Sequence, residues 1–173
     1  EGSPFVGCLF FGLMLTQQGP VVIEYNCRFG DPEAQVALSL LDGDVLELLL
    51  SCRNGTLDKV QVVSKKASAC SVTLASGGYP IAYEKGKAIT IGNLPKGVSL
   101  FHGGTSYDKS GQLVTDGGRV LHVVGTGKSL HEAITAAYTA VDAISYEGKQ
   151  YRQDIGKRAL QEEEHGSSCV HNP

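Results

Sequence analysis

Glu24 and Asn26 stand two residues apart at the end of the apolar run Val21-Val22-Ile23, and Arg28, Asp31 and Glu33 follow closely. The apolar run reads as a strand. Side chains alternate across a strand, so Glu24 and Asn26 fall on one face, about 7 Å apart along it, with Cys27 on the other. A carboxylate and an amide oxygen aimed the same way form a hard-oxygen pair. Such a pair suits Mg²⁺, which takes octahedral oxygen coordination and keeps waters or substrate phosphates as remaining ligands. A solvated edge strand also accounts for these two residues. Asp31-Pro32-Glu33 then reads as a helix start, with a capping acid, a proline at the first helical position and an acid in the first turn. A helix N-terminus beside Arg28 is a place to hold an anion; a simple helix cap with a surface arginine is the alternative.

The elements that must position these residues can be read on either side. Val6 to Leu15 is apolar, interrupted by Gly7 and Gly12, and Thr16-Gln17-Gln18-Gly19-Pro20 supplies turn chemistry before Val21, so the stretch predicts a hairpin. Beyond Asp31, Val36, Leu40 and Leu41 sit at helical spacing. Asp44 opens a second helix with Glu47 three residues on, an acid variant of the capping box, and Asn54-Gly55 ends it. Its apolar residues occur nearly all round, which predicts burial on more than one side. From Ala67 the pattern changes to short strands punctuated by glycine: 67–75, 87–91, 98–102, 112–115 and 119–125. Asp108-Lys109-Ser110-Gly111 and Asp116-Gly117-Gly118 are hairpin-grade connections. Ser129 and Glu132 make a full capping box, and Leu130, Ile134, Ala137, Val141 and Ile144 form one stripe on a helix that should cover a sheet face.

At 173 residues and 42% apolar composition, the chain can bury a sizeable core. Its formal net charge is −3 and its basic residues are scattered, so nothing recommends a nucleic-acid or anionic-membrane surface. No apolar run approaches the roughly 20 residues that span a bilayer, and the N-terminus lacks a signal-type segment. Cysteines 8, 27, 52, 70 and 169 form no CxxC pair and leave one over in any full pairing, which favours free thiols. These features predict a soluble, cytoplasmic chain.

Other candidates are weaker. Gly125-Thr126-Gly127-Lys128-Ser129 lies between a strand and a helix, but a phosphate-binding loop needs glycine where His122 stands, and Ser129 is better explained as an N-cap. His165, Cys169 and His171 match no zinc spacing. His102, His122 and His131 stand alone, and a hydrogen-bonded structural role is expected for each. No nucleophile can be assigned.

Arg28-Phe29-Gly30-Asp31-Pro32-Glu33-Ala34-Gln35 closely resembles the signature of the glycinamide ribonucleotide synthetases, also called phosphoribosylamine-glycine ligases, a family of the ATP-grasp superfamily. The resemblance extends from about Val6 to Leu160. It includes Gly12-Leu13-Met14-Leu15-Thr16, Ala75-Ser76-Gly77-Gly78-Tyr79-Pro80, Phe101-His102-Gly103-Gly104-Thr105 and the block from Tyr151 to Leu160.

The resemblance implies an α+β fold: the C-terminal portion of an ATP-grasp core over 1–58 and a small, mainly antiparallel β-rich domain with a covering helix over 59–160; the acidic, then Ser-rich and Pro-terminated stretch over 161–173 reads by its composition as a disordered tail. It implies an ATP-dependent ligase of purine biosynthesis that joins glycine to 5-phosphoribosylamine through glycyl phosphate. Glu24 and Asn26 would hold Mg²⁺ or Mn²⁺, Ile23 and Glu24 would contact ATP, and Arg28 and Asp31 would act near the substrates' anionic groups. Many superfamily members place a further metal-binding acid about a dozen residues before that glutamate, where this chain has Phe11 and Gly12. The family's substrate and ATP-binding lobes are missing, so the chain is expected to be inactive alone; fusion to other purine-pathway domains is compatible with it. The alternative is a non-catalytic module that keeps the fold for packing or for contact with a partner.

Overall fold

The computed structural model describes residues 2–166. The chain divides into two compact units, Glu1–Lys65 and Lys66–Pro173. Within the first unit, β1 (Phe10–Thr16) and β2 (Gly19–Asn26) form the expected antiparallel hairpin. Gly19 turns it with a φ of 108°, a backbone conformation that glycine adopts without steric cost. Helix α1 (Glu33–Ser39) follows, then the short strand β3 (Leu41–Asp42), helix α2 (Val45–Asn54), a 3₁₀ turn at Leu57–Lys59 and strand β4 (Val63–Ser64), which pairs with β3. Leu41, expected on the first helix, therefore belongs to a strand.

Helix α2 starts and stops as its sequence dictates. The Asp44 side chain accepts from the backbone N–H groups of Leu46 at 2.8 Å and Glu47 at 3.3 Å, and Gly55 closes the helix in the left-handed conformation. Its burial differs from expectation. Leu46, Leu49 and Leu50 are exposed, and Ser51 is the buried residue of the helix. The apolar residues around α2 lack cover from the small elements of this unit, so an all-round apolar pattern does not translate into burial.

The second unit holds the main core. Strand β5 (Ser68–Ala75) leads to the short β6 (Thr90–Ile91), then β7 (Val98–His102), the hairpin of β8 (Thr105–Tyr107) and β9 (Leu113–Thr115), and the long β10 (Arg119–Gly127). β10 lies between β5 and β7, antiparallel to both. Helix α3 (Leu130–Asp142) covers this sheet, and β11 (Ile144–Ser145) pairs with β6. Ile144, expected on the helix stripe, is the first residue of β11. Ala133, Ala137, Ala140 and Val141 are fully buried with Val72, Leu74, Leu121 and Val123. Alanines at i, i+4 and i+7 give the helix a low ridge, which brings its backbone close to the strands.

Ser129 caps α3 as predicted, accepting from the N–H of Glu132 at 3.2 Å. The Glu132 carboxylate reaches back to the N–H of Lys128, one residue before the cap, at 2.7 Å. These bonds, with Ala133 N–H donating to the Ser129 carbonyl, make this helix start a capping box. Helix α4 (Lys157–Gly166) runs past position 160, where the tail was expected to begin; residues 167–173, with Cys169 and His171, lie outside the described residues.

The turn between β8 and β9 gives an acid-sensitive contact. The Asp108 carboxylate accepts from the Ser110 hydroxyl at 2.6 Å and from the backbone of Ser110 and Gln112, which holds its carboxyl below the usual range. Asp154, beside Arg152, and Glu84, beside Lys87, are lowered too. A carboxyl with a lower pKa in the folded state binds fewer protons there than in the unfolded chain. Its contribution is therefore present above the ordinary carboxylate range near pH 4 and is lost as pH falls through the folded value. The urea midpoint is expected to drop on acidification below that range, and Asp108→Asn to flatten the drop; an unchanged slope would refute the assignment to this turn.

Candidate functional site

Glu24 and Asn26 share one face of β2, as a period of two requires, and they touch: the Asn26 amide Nδ2–H donates to Glu24 Oε1 at 3.0 Å. Glu24 is exposed and Asn26 half-buried. The hairpin carries one irregularity beside them. Gly12 faces Glu24 and Leu13 faces Val22, so Ile23 is the extra residue of a β-bulge. Because Gly12 has no side chain, the Glu24 side chain lies across the neighbouring strand; a Cβ at Gly12 would stand 3.0 Å from Glu24 Cγ.

The stretch after β2 departs from the expected helix start. Asp31-Pro32 is a cis peptide, α1 begins at Glu33, and Pro32 rather than Asp31 occupies the N-cap position, with no side-chain cap. The Asp31 carboxylate accepts from Gln35 Nε2 at 2.9 Å, and the Arg28 guanidinium donates to the Phe29 carbonyl at 2.7 Å. Gly30 is buried, and the Glu33 carboxylate folds back over its Cα, where a Cβ would stand 3.1 Å from Glu33 Cδ. The signature residues thus form a closed turn that directly follows the Glu24–Asn26 face.

A hard cation fits this pair. Among the described residues no group of three or more His, Cys, Asp or Glu could hold a metal, so the chain offers one carboxylate and one amide oxygen here. That donor set suits an ion that leaves most of its shell to water or phosphate oxygens, and not a soft metal. Sharing an ion requires the Asn26 amide to turn so that its oxygen, not its nitrogen, meets the metal beside Glu24.

Other sequence candidates are placed elsewhere. His122 is buried with Nδ1 3.0 Å from Thr73 Oγ1, and His102 Nδ1 lies 2.9 Å from Thr105 Oγ1. In the second unit, Lys87 bridges Glu84 at 2.8 Å and Glu147 at 2.9 Å on the wall of an open cavity of about 420 Å³ also lined by Ser76, Gly77 and Tyr83. Both carboxylates hold the Lys87 ammonium above its usual range. In the first unit an apolar groove of about 270 Å³ is lined by Val6, Cys8, Phe29, Leu49, Cys52 and Leu57, and excludes Glu24 and Asn26. Sequence reading had singled out neither cavity, because their walls come from segments far apart in the chain. Gly12 and Gly30 were also missed as site residues, although a glycine inside a strand signals a close approach.

Known proteins resemble both units of the chain. Residues 1–34 match the phosphoribosylglycinamide synthetase ATP-grasp (A) domain, which puts the hairpin in an ATP-grasp fold. The fold is shared with a single-chain, multi-domain long-chain acyl-CoA carboxylase at 16% identity and a TM-score of 0.58, covering 96% of this chain and 20% of that one. Residues 69–158, more than half of the chain, match the phosphoribosylglycinamide synthetase C domain. The chain belongs to the phosphoribosylglycinamide synthetase family.

A phosphoribosylamine–glycine ligase of Rhizobium meliloti is 47% identical over 94% of this chain and 38% of its own length. The bifunctional purine biosynthetic protein ADE1 of Schizosaccharomyces pombe is 47% identical over 92% of this chain and 20% of its own. The crystal structure of the Thermotoga maritima phosphoribosylamine–glycine ligase superimposes with a TM-score of 0.73 at 42% identity, covering 84% of this chain and 36% of that one. The chain therefore spans well under half the length of the relatives it matches.

Proposed function

We propose that this chain is the C-terminal part of an ATP-dependent ligase that joins glycine to 5-phosphoribosylamine, giving glycinamide ribonucleotide. The observation that carries the reading is the paired carboxylate and amide of Glu24 and Asn26 on the exposed hairpin face of a member of this family. In the proposed reaction a glycine carboxylate oxygen takes the γ-phosphoryl group of ATP and ADP leaves. The amine nitrogen of phosphoribosylamine then attacks the acyl carbon, phosphate departs, and the nitrogen loses its proton. Glu24 and Asn26 would hold Mg²⁺ or Mn²⁺, and Ile23, the unpaired residue of the bulge, would contact the nucleotide together with Glu24. A divalent ion held by these two residues would supply neutralisation of charge on the transferring phosphoryl group. Arg28 and Asp31 act near the anionic groups of the substrates from the closed turn, with the Arg28 guanidinium as the group that donates to them.

In this reading residues 1–58 end the ATP-grasp core and 59–160 form the C-terminal domain of a longer, cytoplasmic polypeptide. Fusion to further purine-pathway domains is compatible with it, as the name of the bifunctional fission-yeast relative suggests. Among the described residues no helix is long and apolar enough to cross a membrane. The test is ADP release by the full-length ligase containing this chain, which is expected only when glycine and phosphoribosylamine are both supplied. An inert full-length protein, with this chain binding a partner protein instead, would favour the non-catalytic alternative.

A further inference from the structure

We propose that Cys8 and Cys52 are a redox-responsive thiol pair, free in a reducing medium and closed into an intramolecular disulfide by oxidised glutathione. This pairing is independent of the ligase reading. The two cysteines stand far apart in sequence, yet both line the apolar groove of the first unit, beside Val6, Phe29 and Leu57. Both are half-buried free thiols. Cys52 Sγ stands 3.7 Å from the Gly7 carbonyl oxygen, to which its thiol donates a weak hydrogen bond. A carbonyl oxygen lies about 2.8 Å from the Cα of the residue that follows it, so Cys52 Sγ is within about 6.5 Å of the Cys8 Cα.

A disulfide needs Cα atoms about 4.4–6.8 Å apart, and the segment that carries Cys8 can supply the movement. Residues 2–9 lie outside any helix or strand and the hairpin ladder begins at Phe10, so Cys8 can shift toward α2 without breaking a ladder bond. Cys52 is held in the last turn of α2. The other described thiols are placed differently: Cys27 is exposed and lines no part of the groove, and Cys70 is buried in the second unit. In the exchange, the thiolate of one cysteine attacks a glutathione sulfur and expels the first glutathione thiolate. The thiolate of the other cysteine then attacks the protein sulfur of that mixed disulfide and expels the second. The two thiol protons end on the two glutathiones, which take up the two electrons that the cysteines lose. The product ties the segment ahead of β1 to α2, at the end of the hairpin where Phe10 faces Asn26.

The test maps disulfides by mass spectrometry in the full-length protein containing this chain, after exposure to oxidised glutathione. Trypsin cleaves after Arg28 and Arg53 and a glutamate-specific protease after Glu24, which places Cys8, Cys27 and Cys52 in different peptides. The Cys8–Cys52 cross-link is expected to exceed every other disulfide of this chain by roughly tenfold, because a thiol in the same groove is present at a far higher effective concentration than a distant one. Dithiothreitol should reverse it, unfolding in urea before exposure should abolish the preference, and Cys52→Ala should leave glutathione on Cys8. Cys8 and Cys52 that stay free, or carry only glutathione, under conditions that modify Cys27 would overturn the pairing. So would a cross-link from Cys52 to Cys27, or a preference that persists in urea. Because the mapping is done on the unaltered protein, a Cys52→Ala protein that fails to fold does not shield the pairing from refutation.

Discussion

Gly125→Ala is expected to lower the stability of the second unit by about 3 kcal/mol, at the upper end of what overpacking costs. Gly125 lies on the central strand β10, with Cys70 of β5 on one side and Val98 of β7 on the other. A Cβ there would run into the Ala133 carbonyl and stand 2.6 Å from the Ala137 nitrogen and 3.1 Å from its Cα. Those are backbone atoms of α3, which cannot rotate aside as a surface side chain can. The helix must lift from the sheet, and lifting it loosens the packing of Ala133, Ala137 and Val141 against Val72, Leu121 and Val123. For a domain of this size the thermal midpoint is expected to fall by roughly 12–24 °C. His131→Ala, at an exposed position of the same helix, should stay within about 0.5 kcal/mol of the native chain. Equal midpoints for the two variants would refute the close approach of helix and sheet at Gly125.

The same residue shows where sequence reading reaches its limit. Gly125 to Ser129 has the look of a phosphate loop because it joins a strand to a helix, and the missing glycine at position 122 excludes the motif without revealing what Gly125 does. Its role depends on a helix that lies directly on the strand, a tertiary fact. Local features were legible: the caps at Asp44 and Ser129 involve neighbours within four residues, and the shared face of Glu24 and Asn26 follows from the period of a strand. The cis peptide before Pro32 was not, and with it went the expectation that Asp31 caps α1. The bulge at Ile23 was not legible either, because register is set between strands and not along one. The apolar pattern of α2 misled for a related reason: periodicity gives the composition of a face, and only the neighbouring elements decide whether that face is covered.

Glu24→Gln in the full-length ligase is expected to lower turnover with Mg-ATP by roughly a hundredfold or more, which corresponds to about 2.7 kcal/mol of transition-state stabilisation. Glutamine keeps the length of the side chain and an oxygen that can accept from Asn26, so the packing of the hairpin face is preserved. What it removes is the negative charge that, in the proposed reading, draws a divalent ion to an exposed strand where Asn26 supplies the other oxygen donor. Folding should hardly change, because Glu24 is exposed and its bond to Asn26 is a surface contact; a shift within about 0.5 kcal/mol is expected. Raising the Mg²⁺ concentration should recover part of the turnover, since the lost charge weakens ion binding before it affects any later step. A folding loss as large as the loss of turnover would mark Glu24 as a structural residue. Full turnover at ordinary Mg²⁺ would move the metal site away from this hairpin and leave Asp31 and Glu33, in the closed turn that follows it, as the acids to examine next.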